Sequence, residues 1–172
     1  MPARDASIDV FLLPGEHFAG DARHRIATLL GSCVSVTLWQ PRLRVGAMSH
    51  FVLPGSNLER GLPPSGRYAE DSLALMLADL CRLGARVEDC EAKVFGGGAM
   101  FEPHSGSVRA DNIGRRNGEA ARAMLLARGL RLASQSLFEA GHRRVVFDVA
   151  SGEVWLRRGR IEDGQLMAGV AR

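Results

Sequence analysis

Cys33 ends the run Leu29-Leu30-Gly31-Ser32-Cys33 and opens Val34-Ser35-Val36-Thr37-Leu38-Trp39, and His50 lies in the next apolar stretch, Val45 to Phe51. A cysteine at the mouth of one strand and a histidine on a return strand form a candidate nucleophile and base. A thiol attacks well only as its thiolate, which a neighbouring imidazole or aligned backbone N–H groups stabilise. The pairing therefore predicts a lowered thiol pKa at Cys33. The same residue types fit a quieter reading, in which Cys33 is a small apolar core residue and His50 is structural. Pattern alone leaves both open. The remaining thiols have no such setting. Cys81 falls on or near the apolar face of a predicted helix, and Cys90 follows Glu88-Asp89, whose charges disfavour a thiolate. No Cys pair has metal-ligand spacing. His17, His24 and His104 read as solvated loop positions and His142 as a turn residue.

Several elements must position the pair. Val34, Val36 and Leu38 alternate with Ser35 and Thr37, as on a strand. Gln40 to Arg44 turns at Pro41, and Val45 to Phe51 returns, carrying His50 towards Cys33. Ile8 to Leu13 is a first strand stopped by Pro14-Gly15, His17 to Arg25 reads as a polar turn, and Ile26 to Leu30 leads into the cysteine. Ser56 to Gly66, rich in Pro, Gly and Ser, reads as a functional or mobile loop. Ala69, Leu73, Met76, Leu77 and Leu80 recur at helical spacing within Arg67 to Leu83, before Gly84. Ala92 to Phe95 runs into Gly96-Gly97-Gly98. That triplet lacks dinucleotide and phosphate-loop patterns, so close backbone approach is favoured over an anion cradle. Phe101 to Gly106 reads as a loop. Asn112 to Asn117 reads as a compact polar knot, with Asn117 capping a helix through Ala121, Met124 and Leu125. Leu130 to Leu137 is a strand, and Arg143 to Val149 with Glu153 to Arg157 forms a closing hairpin about Ala150-Ser151-Gly152. The order implies one α+β domain over residues 1–172.

At 172 residues the chain can bury a sizeable core, and its net charge of +3 comes from arginine with a single lysine, Lys93. No basic run is interleaved with aromatics, which argues against a nucleic-acid partner. Three cysteines without a disulfide framework suit a reducing compartment. Met1 to Gly20 lacks a signal-peptide core, and no run approaches membrane-spanning length. A soluble cytoplasmic protein without membrane insertion is expected.

Taken together, Leu30-Gly31-Ser32-Cys33-Val34-Ser35-Val36, Val45-Gly46-Ala47-Met48-Ser49-His50-Phe51-Val52-Leu53-Pro54, Arg67-Tyr68-Ala69, Lys93-Val94-Phe95-Gly96-Gly97-Gly98-Ala99-Met100 and Asn112-Ile113-Gly114-Arg115-Arg116-Asn117 resemble, in order, the bacterial chemoreceptor glutamine deamidases of the CheD family. Val145-Val146-Phe147-Asp148 and Ser151-Gly152-Glu153-Val154 close the chain in a similar way. The resemblance implies a β-sandwich of mixed sheets with helices packed outside, similar to toxin deamidases of the cytotoxic necrotizing factor type. It implies hydrolysis of glutamine side-chain amides on methyl-accepting chemotaxis receptors, methylesterase side activity, the CheC phosphatase as a partner in some bacteria, and no metal or organic cofactor.

By the same resemblance, Cys33 forms a thioester, His50 is the acid and base, and backbone around Gly31 and Ser32 supports the oxyanion. The family's third residue is a threonine six positions before the cysteine; here that offset holds Ala27, and Thr28 follows it. A one-residue shift turns a strand side chain to the opposite face, so Thr28 fits the role if a bulge corrects it. Ser49 stands where the family commonly has asparagine. Two rivals remain: a cysteine peptidase or small-molecule amidase using the same pair, and a regulatory binding module with reduced catalysis, which the threonine offset favours.

Overall fold

The computed structural model describes residues 6–100, 108–162 and 165–171. Two mixed five-stranded sheets face each other. The first has the order β1 (Ile8–Leu12), β3 (His24–Leu30), β8 (His142–Asp148), β9 (Val154–Glu162), β10 (Gln165–Ala171), with β1 and β3 parallel. The second runs β2 (His17–Asp21), β5 (Val45–Ser49), β4 (Val34–Gln40), β6 (Glu91–Gly96), β7 (Arg131–Leu137), with β6 and β7 parallel. Helices α1 (Ala69–Arg82) and α2 (Val108–Ala127) cover the outer face of the second sheet. The fold is thus the expected α+β sandwich of mixed sheets with helices outside. Among the described residues no helix is long and apolar enough to cross a membrane.

The period-two pattern of β4 divides its side chains between two cores. Val34, Val36 and Leu38 join Leu73, Met76, Leu80 and Met124 beneath the helices. The opposite face meets Ile26, Leu30, Val145 and Phe147 of the first sheet, with Met48, Phe95 and Trp39 contributed by the second. Ser35 and Thr37 therefore lie between the sheets, fully buried, where amphipathicity alone would place solvent.

Several expectations are corrected. His17 to Arg25 is not a polar turn but the whole of β2 and the start of β3. β2 is an edge strand, so it needs no apolar alternation. His17 and His24 are half-buried and partnered, at 3.1 Å from Asp79 Oδ2 and 3.1 Å from Asp21 Oδ1. His142 opens β8 rather than sitting in a turn. Asn112 to Asn117 lies inside α2, so Asn117 is no cap. Gly114 and Gly118 lower helix propensity there, but packing requires them. A Cβ on Gly114 would lie 2.4 Å from the Gly98 carbonyl oxygen, and one on Gly118 2.4 Å from the Phe138 ring. Cys81 is exposed, although it lies near the apolar face of α1, and Cys90 is buried, although it follows Glu88-Asp89. The hairpin of β8 and β9 does not close the sheet, because β10 pairs beyond it. The loop Phe101 to Gly106, with His104, lies outside the described residues. Ser56 to Gly66 is tethered: buried Asp71 accepts from Ser56 Oγ at 2.6 Å and from the Asn57 and Ser65 amides, both at 2.9 Å.

The sheets are latched at the β8–β9 turn. Trp39 Nε1 donates to the Val149 carbonyl, Arg44 Nε to that of Ala150 and Lys93 Nζ to that of Gly152, at 2.8, 2.9 and 2.8 Å. Gly152 has φ of +75°, and a Cβ there would meet the Trp39 ring at 2.4 Å. Gly152→Ala should cost about 2 kcal/mol or more from left-handed strain and overpacking combined. Thermal denaturation should show a fall of several degrees; an unchanged midpoint contradicts this account of the latch.

Candidate active site

The site lies where β3 hands over to β4, at the end of the inter-sheet core. β3 ends at Leu30, the chain bends through Gly31-Ser32-Cys33, and β4 starts at Val34. Val34 and Phe51 form an antiparallel bridge with both backbone bonds made, 3.1 Å for Val34 N to Phe51 O and 3.0 Å for Phe51 N to Val34 O. Continued by one residue, this register makes Cys33 and His50 diagonal neighbours on one face. That face is the inner one: Cys33 packs against the inter-sheet core. His50 is anchored on its other edge, donating its N–H to Glu16 O at 2.9 Å and accepting from Gly15 N at 2.8 Å.

Thr28 also points inward, with zero exposure. Its Oγ1 lies 2.7 Å from His50 Nδ1 and donates to the Leu12 carbonyl at 2.8 Å. The carbonyl can only accept, so the hydroxyl proton goes to Leu12 and the Thr28 lone pair faces His50. Nδ1 must then carry the proton, leaving the Nε2 lone pair free. Nε2 is buried and has no partner among the described residues. The expected bulge does not occur: β3 keeps unbroken register with both β1 and β8. The one-residue offset leaves Thr28 on the inner face all the same. Ala27 faces the opposite way, into a groove on the outer surface of the first sheet with Phe11, Val146 and Trp155. Ser49 does not orient His50; its Oγ accepts from Val36 N at 3.3 Å.

The electrostatics overturn one expectation. Burial pushes the Cys33 thiol up, with Arg67 opposing weakly, and burial brings His50 down to about 4, with Glu16 opposing. Both shifts favour neutral thiol beside neutral imidazole, so the resting Cys33 thiol is not lowered. Cys90 is pushed up to about 11, by burial first and then by Asp89 and Glu88.

The bend is held by its carbonyls. Gly98 N donates to Gly31 O at 2.9 Å and Gly97 N to Cys33 O at 2.9 Å. Asn117 Nδ2 donates to Ser32 O at 3.1 Å and to Val52 O at 2.8 Å. The glycine triplet is thus a close-approach element: a Cβ on Gly96 would sit 2.2 Å from Cys33 O, and one on Gly98 2.6 Å from Glu139 O. Among the described residues, none accepts from the amides of Ser32 or Cys33. Gly31 is close-packed too, since a Cβ there would meet Met100 Sδ at 2.7 Å. Sequence reasoning missed Asn117 as a site residue. The available signal was a polar side chain on the helix face shared by Ala121, Met124 and Leu125. It also missed buried Arg143, whose guanidinium donates to Ser136 O at 2.9 Å and Glu139 O at 2.7 Å beneath the turn that backs the triplet.

Two outcomes follow from this geometry. Thr28→Val preserves shape but strands the His50 N–H and the Leu12 carbonyl, which should cost about 2 kcal/mol or more. It should also mix the His50 tautomers, seen in its ring ¹⁵N shifts; an unaltered tautomer removes Thr28 from the orienting position. Cys33 alkylation by iodoacetamide should show no plateau at mildly acidic pH. It should climb only on the alkaline side of the ordinary thiol value, because a raised pKa leaves less thiolate at any given pH. Rapid alkylation near pH 6 contradicts the neutral pair.

The CheD family, described as CheD chemotactic sensory transduction, matches residues 52–158, downstream of Cys33 and His50 but including Asn117. Full-length relatives extend the likeness upstream. The "probable chemoreceptor glutamine deamidase CheD 2" of Albidiferax ferrireducens is 48% identical, over 90% of this chain and 90% of its own. The "probable chemoreceptor glutamine deamidase CheD 1" of Chromobacterium violaceum is 39% identical over 92% of this chain and 82% of its own. A similarly named protein of Pseudomonas savastanoi is 38% identical over 90% and 86%. On this extent of likeness, the chain belongs to the CheD family.

Proposed function

We propose that this protein hydrolyses glutamine side-chain amides of chemotaxis receptors to glutamate, through a thioester on Cys33. The observation that carries the reading is a buried histidine of fixed tautomer, its free Nε2 on the same strand face as the Cys33 thiol. Family membership and the relatives' names supply the substrate class.

In the first half-reaction, His50 Nε2 takes the thiol proton as sulfur attacks the glutamine Cδ. The C=O π pair becomes an oxyanion facing the Ser32 and Cys33 amides. Collapse of this intermediate breaks the C–N bond, His50 gives its proton to the nitrogen, and ammonia leaves. In the second, His50 takes a proton from water, hydroxide adds to the thioester, and the C–S bond breaks. The carboxylic acid is released and loses its proton to solvent, and the thiol regains its proton from His50. Thr28 acts throughout by holding Nδ1, which keeps Nε2 turned to sulfur. General acid–base help contributes about 10²–10⁴-fold, and oxyanion donors about 10²–10³-fold each.

The Thr28–His50 bond supplies the orienting contact whose apparent loss favoured a purely regulatory module. Family membership favours a receptor over a small-molecule amide or peptide bond as substrate. A receptor glutamate methyl ester would follow the same path with methanol as the leaving group. A CheC-type phosphatase is the expected regulatory partner, to be sought by co-purification.

The test uses receptor cytoplasmic fragments. Wild type should release ammonia and convert defined glutamines to glutamates by mass spectrometry. Cys33→Ala and His50→Gln should lose turnover by at least about a thousandfold. Full activity in Cys33→Ala, or none in wild type, rejects the proposal.

A further inference from the structure

Three consecutive peptide groups at the bend are held at their carbonyl ends, and the middle one is held by a side chain. Ser32 C=O and Cys33 N–H belong to one peptide unit. Among the described residues no peptide bond is cis, so these two groups point in opposite directions. Whatever fixes the carbonyl aims the amide. Asn117 fixes it: Nδ2 donates to Ser32 O at 3.1 Å, and its second hydrogen reaches Val52 O at 2.8 Å, two residues beyond His50. Both partners are carbonyls and can only accept, so the amide nitrogen must face them.

Two observations separate this from ordinary packing. Asn117 has zero exposure in mid-helix, beside exposed Arg115 and Arg116, where an apolar residue would complete the core face. Its Oδ1 is buried without a partner among the described residues. An unpaired buried acceptor is costly and persists where the rest of the group does something an apolar side chain cannot. A hydrogen bond to the carbonyl also polarises the whole peptide unit and makes its N–H a stronger donor.

We propose that Asn117 is a positioning residue that aims and strengthens the Cys33 amide as an oxyanion donor, while the Gly98 amide does the same for the Ser32 amide through Gly31 O. Asn117 also ties the Cys33 and His50 arms together through Ser32 O and Val52 O. The inference rests on the deamidase reading above. It requires that the fixed orientation acts in the transition state and leaves substrate affinity alone.

The experiment compares wild type with Asn117→Asp and Asn117→Ala on receptor fragments. A second probe is a peptide aldehyde in place of the glutamine side-chain amide; its hemithioacetal with Cys33 needs the oxyanion site but no leaving group. Expected is a fall in kcat of about 10–100-fold, less than the about 10²–10³-fold of losing an oxyanion donor outright, because the Cys33 amide itself remains. KM should be unchanged, and aldehyde affinity should weaken in parallel. Iodoacetamide, which needs no oxyanion site, should alkylate Cys33 at about the wild-type rate. Unchanged kcat, a change confined to KM, or undiminished aldehyde affinity overturns the proposal. If both variants fail to fold, wild type decides by ¹H–¹⁵N spectra. Aldehyde binding should move the Ser32 and Cys33 amides downfield and leave Gly97 and Gly98, already bonded to the bend, in place; the reverse pattern overturns it. Failure of the deamidase reading looks different, because wild type itself would then release no ammonia.

Discussion

A short hydrogen-bond chain crosses the gap between the sheets, from His50 Nδ1 to Thr28 Oγ1 to the Leu12 carbonyl, with lengths of 2.7 and 2.8 Å. Its direction is forced at the Leu12 end, because a carbonyl has no proton to give. Every later property of His50 depends on that. The ring cannot flip its tautomer without leaving a buried acceptor unpaired, and the basic nitrogen stays at Nε2, away from Thr28. The chain also needs both sheets in place, since Thr28 comes from the first and His50 from the second. Latching the sheets through Trp39, Arg44 and Lys93 thereby acts at a distance on the geometry of the pair.

The bend at Gly31–Cys33 is constrained from the opposite side. The second sheet sends Gly96 to Gly98 against it, with φ of +111° at Gly96 and +62° at Gly97, and a Cβ at either would run into backbone oxygen. That closeness lets Gly97 and Gly98 donate to the bend. α2 in turn must approach the triplet closely, which is why Gly114 sits in a helix despite its poor propensity. Behind the triplet, Arg143 gathers the carbonyls of Ser136 and Glu139, so even this buried cation serves the backbone of the site.

Much of this was legible in the sequence for a physical reason. Strands with strong alternation, such as Val34 to Leu38, and the helix with apolar residues from Ala69 to Leu80 declare their own period. Cys33, His50 and the turn between their strands could be paired from local pattern alone. What local pattern missed was set by tertiary context. β2 is hidden because it is a short edge strand with polar ends, His17 and Asp21, around Phe18 and Ala19. The start of α2 is hidden because its glycines answer to packing rather than propensity. Thr28 looked misplaced because spacing counts residues, whereas its face is set by the register of β3 with β1 and β8. Asn117 resembled a cap because the helix start upstream of it was not visible. The direction of the Cys33 shift was misjudged because adjacency to His50 was weighed and burial was not.

Burial has a further consequence for how the pair works. A preformed thiolate–imidazolium pair in this site would have to survive with little water around it, and desolvation opposes both charges. The neutral pair avoids that, so in the proposed mechanism charge separates only as sulfur bonds to the substrate carbon and the new oxyanion meets the Ser32 and Cys33 amides. Reactivity then depends on a carbonyl in the right position rather than on the thiol alone. On the proposed mechanism exposure and reactivity are uncoupled among the cysteines: Cys81 is exposed with no base assigned to it, Cys90 is buried and pushed up, and Cys33 is half-buried and pushed up by burial. Because oxidation also runs through the thiolate, the burial that slows the resting nucleophile protects it as well.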